Sequence, residues 1–364
     1  MTVKLVLENL KHKPMRSLLS VLLIAIPVTL ILALVGLSHG MLEDSARRAR
    51  GVGADVLVRP RGTSILTLSG APLPEKLVDR LAQVSHVTQA MGTVNQPFKA
   101  SVFVAGIDLK KFDQMSGGFR YLEGGPIEGP DDAILDDYYA RQLNVHAGGH
   151  VKIINHDWRL SGIVQAGKLS HIIVPIRTLQ SLTGNTGKVS QVFLKVDKPA
   201  NIQPVIDELK QLLPDYPIYS MEEFTSMYNV NNIEGLREFI FVIVAIGVVI
   251  GFAVVCLSMY MAVLQRTREI GILKSLGASR WFILQIIWAE ALVMGVGGTI
   301  LGIVLSFGAW WAIRTFVPAS IPMVIVPEWW PIAGIITLIG ASFGALYPGV
   351  SAARHDPIEA LAYE

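Results

Sequence analysis

The sequence predicts an α-helical membrane protein with four transmembrane helices and a large α+β extracytoplasmic domain between the first and second of them. Three observations predict it. Charged residues are only 16% of the 364 and hydrophobic residues 51%, against roughly 25% charged in an ordinary soluble domain. Four apolar stretches reach the roughly 20 residues that a helix needs to cross about 30 Å of hydrocarbon. Between the first two lies a less apolar region of about 200 residues, rich in turn signals.

Taken in order, residues 1–16 carry Val3, Val6, Leu7 and Leu10 on one side and Lys4, Glu8 and Lys11 on the other, an amphipathic helix for the cytoplasmic membrane surface. Residues 17–38 form the first span. The apolar run is longer than a signal-peptide core and lacks a small-x-small cleavage site before Met41, so it is expected to be retained. Residues 39–237 form the external domain. Further spans follow at 238–264, 282–313 and 331–350, separated by a cytoplasmic segment, 265–281, and an external loop, 314–330, and followed by a tail, 351–364.

Basic residues set the orientation. Lys4, Lys11, Lys13 and Arg16 precede span one; Arg266, Arg268, Lys274 and Arg280 lie between spans two and three; Arg354 lies in the tail; the loop between spans three and four has only Arg314. Both termini and segment 265–281 are therefore expected on the cytoplasmic side. Arg47, Arg48, Arg50, Arg59 and Arg61 run against this trend, but long domains translocate largely regardless of charge.

Within the external domain, Ala54–Val58 alternates as a strand, Pro74–Val84 has helical spacing, and Val87–Val94 returns as a strand. The pattern recurs at the far end, with a strand at Gln191–Val196, a helix over Ile202–Leu213 and a strand at Ile218–Tyr219. Two β-α-β units separated in sequence predict a split ferredoxin-like subdomain. The intervening residues, about Pro97–Gly187, read as a mostly β insertion with strands at Ser101–Ile107, Val151–Ile154, Leu160–Val164 and His171–Pro175.

Several chemistries are excluded or unsupported. A net charge of +2 gives no case for nucleic acid. Cys256 is the sole cysteine and sits in an apolar run, where packing is its expected role. His146, His150, His156 and His171 read as scattered surface histidines, because Gly148-Gly149 breaks the one helical spacing among them; Asp131-Asp132 and Asp136-Asp137 lack the pattern of a calcium loop and read as solvated turn carboxylates. The run Gly184-Asn185-Thr186-Gly187-Lys188-Val189 lacks the glycine spacing and terminal Ser/Thr of a phosphate loop, so the chain is expected to bind no ATP by that route. No catalytic set is present.

Segment 265–281 carries the most information. Ile270, Leu273 and Leu276 recur at helical spacing to give a short apolar face, with Arg268, Glu269 and Lys274 largely off it; Gly277-Ala278-Ser279 ends the helix and Arg280-Trp281 anchors span three. Glu290 lies inside span three, where a carboxylate must pair, be protonated or face protein. Gly247/Gly251 and Gly298/Gly302 have small-xxx-small spacing for close packing, within the chain or across a dimer.

The string Arg-Glu-Ile-Gly-Ile-Leu-Lys-Ser-Leu-Gly-Ala-Ser at 268–279 resembles the signature of the FtsX/MacB group of ABC transporter permeases. As in that group, it is followed by Glu290-Ala291-Leu292, by Gly295, Gly297, Gly298 and Gly302, and by a tail reading Pro348, Ala352-Ala353-Arg354, Asp356-Pro357-Ile358-Glu359-Ala360-Leu361. The resemblance covers about 228–364. It implies that Arg268, Glu269, Ile270, Gly271, Leu273, Lys274, Leu276, Gly277 and Ala278 couple to a cytoplasmic ATPase; Gly247, Gly251, Gly298 and Gly302 by their spacing, and Glu290 by its place in the span, read as packing or dimer contacts. It implies a bacterial inner-membrane location, a second permease copy (homodimer or heterodimer), membrane lipids around both, and a periplasmic adaptor. ATP and Mg would be bound by a separate ATPase subunit, since the short lead-in leaves no room for a fused one. The implied activity is mechanotransmission that drives export or extraction of a peptide, drug, lipid or lipoprotein. The alternative is a non-transporting, FtsX-like regulator of cell-wall hydrolases; a motorless sensor or scaffold is a weaker third.

Overall fold

A computed structural model describes residues 14–63, 73–99, 102–233, 235–265, 267–316 and 322–354. The expected amphipathic helix before Lys13, the end of the tail and Arg266 lie outside them. The chain divides into two compact units, one built around Met1–Ser38, Gly235–Ala312 and Met323–Glu364, the other around His39–Glu234 and Ile313–Pro322.

The first unit is a four-helix bundle. Helix α1 (Pro14–Arg50) continues twelve residues past 38, because Met41–Arg50 contains no helix breaker and Gly51 and Gly53 come only afterwards. Its 37 residues span roughly 55 Å at 1.5 Å per residue. The other long helices are α8 (Leu236–Gln265), α10 (Arg280–Phe316) and α11 (Trp329–Arg354). All four are long and apolar enough to cross a membrane. Between α8 and α10 lies the short α9 (Thr267–Ser275). Small residues let the backbones approach. A Cβ at Gly344 of α11 would meet Phe252 O of α8 at 2.9 Å, and one at Gly302 of α10 would meet Val28 Cγ1 of α1 at 2.6 Å. Ser20 of α1 and Ser258 of α8 share a 2.6 Å hydroxyl hydrogen bond.

The second unit is built on one ten-stranded sheet. Four strands, β1 (Val56–Val58), β3 (Val87–Lys99), β11 (Gln191–Val196) and β12 (Ile218–Ser220), stand in the antiparallel order β12-β1-β11-β3. Helix α2 (Lys76–Leu81) joins β1 to β3 by way of β2 (Leu73–Pro74), and α6 (Ile202–Leu212) joins β11 to β12. That order is the ferredoxin-like one expected from the two β-α-β units. The two-residue alternation of strand side chains sends Val56, Val58, Val192 and Leu194 against α2 and α6. Leu57 and Phe193 face the other way, with Phe112 and Met115 of α3 (Leu109–Ser116) and Phe224 of α7 (Met221–Ser226).

The insertion holds β4 (Val102–Ile107), β5 (Tyr121–Gly124), β6 (Asp132–Asp136), β7 (His150–Ile153), β8 (His156–Val164) and β9 (Ile172–Pro175), with α3, α4 (Asp137–Leu143) and α5 (Ile176–Leu182), three short helices the sequence reading leaves unassigned. It continues the same sheet, because β3 runs five residues beyond the expected end at Val94 and pairs there with β4. Its core gathers around the fully buried Trp158, whose indole N–H donates to Ile153 O at 3.1 Å. A second ribbon pairs β2 with β10 (Lys188–Val189).

Two of the carboxylates expected in solvated turns lie in the interior. Asp132 and Asp136 are buried, and His171 is buried with them, rather than solvated. Asp132 accepts two hydrogen bonds from Arg159, at 2.7 and 2.9 Å, and two more from the backbone N–H groups of Glu128 and Gly129. The bond from Arg159 holds this carboxyl well below the usual carboxylate range, against the upward push of burial. A pKa depressed on folding contributes stability that is present above the unfolded value, about 3.9, and is lost as pH falls toward the folded value. The unfolding midpoint of the wild-type protein is therefore expected to fall on acidification below about pH 4, and Asp132→Asn to fall less steeply over that interval; parallel curves would refute it.

Candidate coupling and transmission site

Helix α9 is held at both ends by local chemistry. Thr267 Oγ1 donates back to Val263 O and Leu264 O at 3.2 and 2.9 Å. At its C-terminus, Gly277 has φ +94°, a left-handed conformation that glycine adopts without penalty. Gly277 N–H donates to Lys274 O at 3.0 Å and Ala278 N–H to Leu273 O at 2.9 Å, a Schellman pair. Ser279 then caps α10, its Oγ accepting from Phe282 N–H at 3.1 Å. The helix–turn–helix geometry is thus set by Gly277 and Ser279.

The segment is two-sided, though not by the expected division. Gly271 is buried and Ile270 packs on the bundle core, while Leu276, expected to share the apolar face of Ile270, is 80% exposed and Ile272 beside it is exposed too. Arg268 and Glu269 share that outer exposure. Lys274 turns inward, and its ammonium donates to Ala353 O of α11 at 3.0 Å, near the helix C-terminus, where a cation is favourable. A cavity of about 250 Å³ opens between α8, α9 and α10, with Glu269, Leu273 and the buried Glu290 in its lining.

The glycine pairs differ in what they face. Gly298 and Gly302 face α1 within the chain, a Cβ at Gly298 colliding with Ile24. Thr29 Oγ1 of α1 donates to Gly302 O at 3.1 Å. Gly247 faces Ile31, but no described atom lies within 4 Å of a Cβ placed at Gly251.

A second group of residues escaped the sequence reading. At the far end of α1, Arg48 is buried in the second unit, its Nε donating to Asp44 Oδ2 at 2.6 Å and its Nη2 to Asp136 Oδ2 at 2.8 Å. Asp136 also accepts from His171 Nδ1 at 2.8 Å, in the tautomer protonated there, and from Tyr139 N–H at 2.8 Å. Arg47 completes the group by pairing with Asp44. Burial pushes the Asp136 carboxyl up, but the His171 hydrogen bond and the Arg48 charge outweigh it and hold the group below its ordinary range. Asp136 ends β6 and His171 directly precedes β9, so these contacts fix the end of α1 to the insertion. The one signal in the sequence was the basic cluster at odds with the orientation rule.

Comparison with known proteins agrees with this architecture. The model of the FtsX-like permease C-terminal region matches residues 241–357, and that of the MacB-like periplasmic core domain matches residues 17–212. The chain is 26% identical over 400 residues to the uncharacterized ABC transporter permease YknZ of Bacillus subtilis, covering 100% of this chain and 98% of that one. It is 25% identical to the uncharacterized ABC transporter permease MJ1507 of Methanocaldococcus jannaschii, covering 97% and 96%. It is 26% identical to the macrolide export ATP-binding/permease protein MacB of Bdellovibrio bacteriovorus, covering 98% of this chain and 61% of that longer protein. Among solved structures, the periplasmic region of MacB from Actinobacillus actinomycetemcomitans aligns with 51% of this chain and 97% of its own at a TM-score of 0.39 and 16% identity. With a core-domain match over more than half its length and a permease match over its last four helices, this membrane protein belongs to the FtsX/MacB family of ABC transporter permeases.

Proposed function

We propose that the chain is the permease subunit of an ABC transporter in a bacterial inner membrane, with both termini cytoplasmic, and that it works by mechanotransmission. A separate ATPase subunit, which binds ATP and Mg, docks on α9 of each of two permease copies. The observation that carries this reading is the two-sided α9: Ile270 and Gly271 lock it to the bundle, while Arg268, Glu269, Ile272 and Leu276 are left outward on a short rigid element between two spans. Exposed apolar residues flanked by charges are what a docked protein covers.

Displacement of α9 would move α10 through the Schellman turn and the Ser279 cap. Helix α10 grips α1 at Gly298 and Gly302, and α1 runs unbroken to the Arg48–Asp136 anchor. Motion driven from the cytoplasm would be delivered to the external domain, and substrate (a peptide, drug, lipid or lipoprotein) would be moved on the outer side, passed on by a periplasmic adaptor.

The test is an affinity pull-down from detergent-solubilised membranes with partners identified by mass spectrometry. Co-purification of an ATPase with an adaptor is expected, and Ile272→Asp/Leu276→Asp should lower ATPase recovery at least about tenfold, since burying even one unpaired charge at an interface costs more than the 1.4 kcal/mol that a factor of ten represents. An ATPase with a cell-wall hydrolase in place of the adaptor would establish the signalling alternative. No ATPase at all would overturn both.

A further inference from the structure

The external unit contains a cleft that the coupling pathway does not use. It has a volume of about 640 Å³, within the roughly 300–1,000 Å³ of small-ligand sites. It lies at the seam between the ferredoxin-like strands and the insertion, so its walls come from both: α2 and β10 on one side, the ends of β4 and β9 on the other. Its floor is apolar, with Val78, Ile107 and Val189 buried there. Gly92 deepens it, since a Cβ at that position would meet Val189 Cγ1 at 2.7 Å and Val78 Cγ2 at 3.0 Å.

The rim carries charge of both signs. Glu75 and Arg177, 102 residues apart, pair across it at 2.7 Å. Asp108 is also committed, its Oδ1 accepting from Lys110 N–H and Lys111 N–H at 3.1 and 3.3 Å as the cap of α3. That helix end is therefore already occupied by a carboxylate and is not a receptor for phosphate or sulfate. Three side chains are left. Among the described residues, the ammonium groups of Lys76 and Lys111 and the carboxylate of Asp79 make no hydrogen bond or ion pair, and all three are exposed at the rim.

We propose that this cleft is a binding site for an apolar zwitterion, a molecule that presents a carboxylate to Lys76 and Lys111, an ammonium to Asp79, and a hydrocarbon body to the floor. A purely anionic ligand would leave Asp79 opposed to it, a purely cationic one would meet two ammonium groups, and an uncharged one would gain nothing from the rim. Charge-assisted hydrogen bonds are the strong ones, so both ends of the ligand should matter to affinity. The site is separate from α9 and needs no ATPase.

The experiment is calorimetric titration of the full-length protein in lipid nanodiscs with trileucine, as the free zwitterion and with its amino end acetylated, its carboxyl end amidated, or both. Saturable binding of the free form is expected, weakened about tenfold by blocking either end. In Asp79→Asn the penalty for acetylation should vanish while that for amidation persists; in Lys76→Gln/Lys111→Gln the reverse should hold. These are exposed positions, so the variants should keep the wild-type unfolding midpoint. Absence of saturable binding in the millimolar range would overturn the proposal, as would equal binding of the doubly blocked peptide or penalties unchanged in the variants. The pull-down on the coupling helix is unaffected by any of these results, so the two readings fail independently.

Discussion

Arg48→Ala is expected to lower the stability of the external unit by about 3–5 kcal/mol, the usual cost of removing one partner of a buried ion pair. In a domain of this size that corresponds to a fall in unfolding midpoint of roughly 6–20 °C. The reason is the company Arg48 keeps. Its guanidinium is the cation placed directly between Asp44 and Asp136, and both side chains are almost wholly buried. Without it Asp136 retains only His171 and Tyr139 N–H, and Asp44 only the half-exposed Arg47. Arg48→Lys should recover part of the loss, because an ammonium restores the charge without the guanidinium fork that reaches both carboxylates at once. Arg48→Ala/Asp136→Asn should be less damaging than the sum of the two single changes, since neutralising the orphaned carboxylate removes most of the penalty. A change below about 1 kcal/mol, the range of exposed pairs, would show that the cluster does not anchor the end of α1. Under the proposed mechanism the assembled Arg48→Ala complex should still hydrolyse ATP while transport falls, measured by parallel ATPase and export assays.

Gly302→Leu is the second large effect. A Cβ there would lie 2.6 Å from Val28 Cγ1 and 3.0 Å from Ala25 O. The latter is backbone and cannot swing aside. Overpacking of this kind costs typically 1–3 kcal/mol, and a branched side chain beyond the Cβ would part α1 from α10 and break the Thr29 hydroxyl bond to Gly302 O. Gly298→Leu should behave alike, and the double variant should be recovered poorly from membranes. Gly251→Leu is the control. It should leave the stability of a single subunit unchanged, because nothing among the described residues lies within 4 Å of a Cβ placed there; an effect confined to the dimer would place Gly251 at the contact between copies. Thermal scanning of the detergent-solubilised protein, coupled to size-exclusion chromatography, distinguishes these outcomes. Equal destabilisation by Gly251→Leu and Gly302→Leu would refute the assignment of α1 as the partner of α10.

What the sequence determined by itself was everything that depends on residues near one another. The four spans follow from hydropathy over some twenty consecutive positions. The end of α9 and the start of α10 follow from Gly277 and Ser279, each acting through backbone groups one to five residues away. The ferredoxin-like part follows from strand and helix periodicities, down to the bounds of β11. The tertiary structure alone decided whatever joins distant residues. Asp136 and His171 read as a turn carboxylate and a surface histidine because their partners lie 35 to 88 residues away, and burial of a polar group is tolerable only once such partners arrive. Lys274 looked like one more outward charge until Ala353 O, 79 residues later, was brought beside it. The glycine pairs announced close packing, but not against which helix, since spacing describes one face and says nothing of what meets it. The exposure of Leu276 was likewise undecidable from periodicity. A helical repeat marks the residues that share a side, and only the assembled bundle fixes which side it covers.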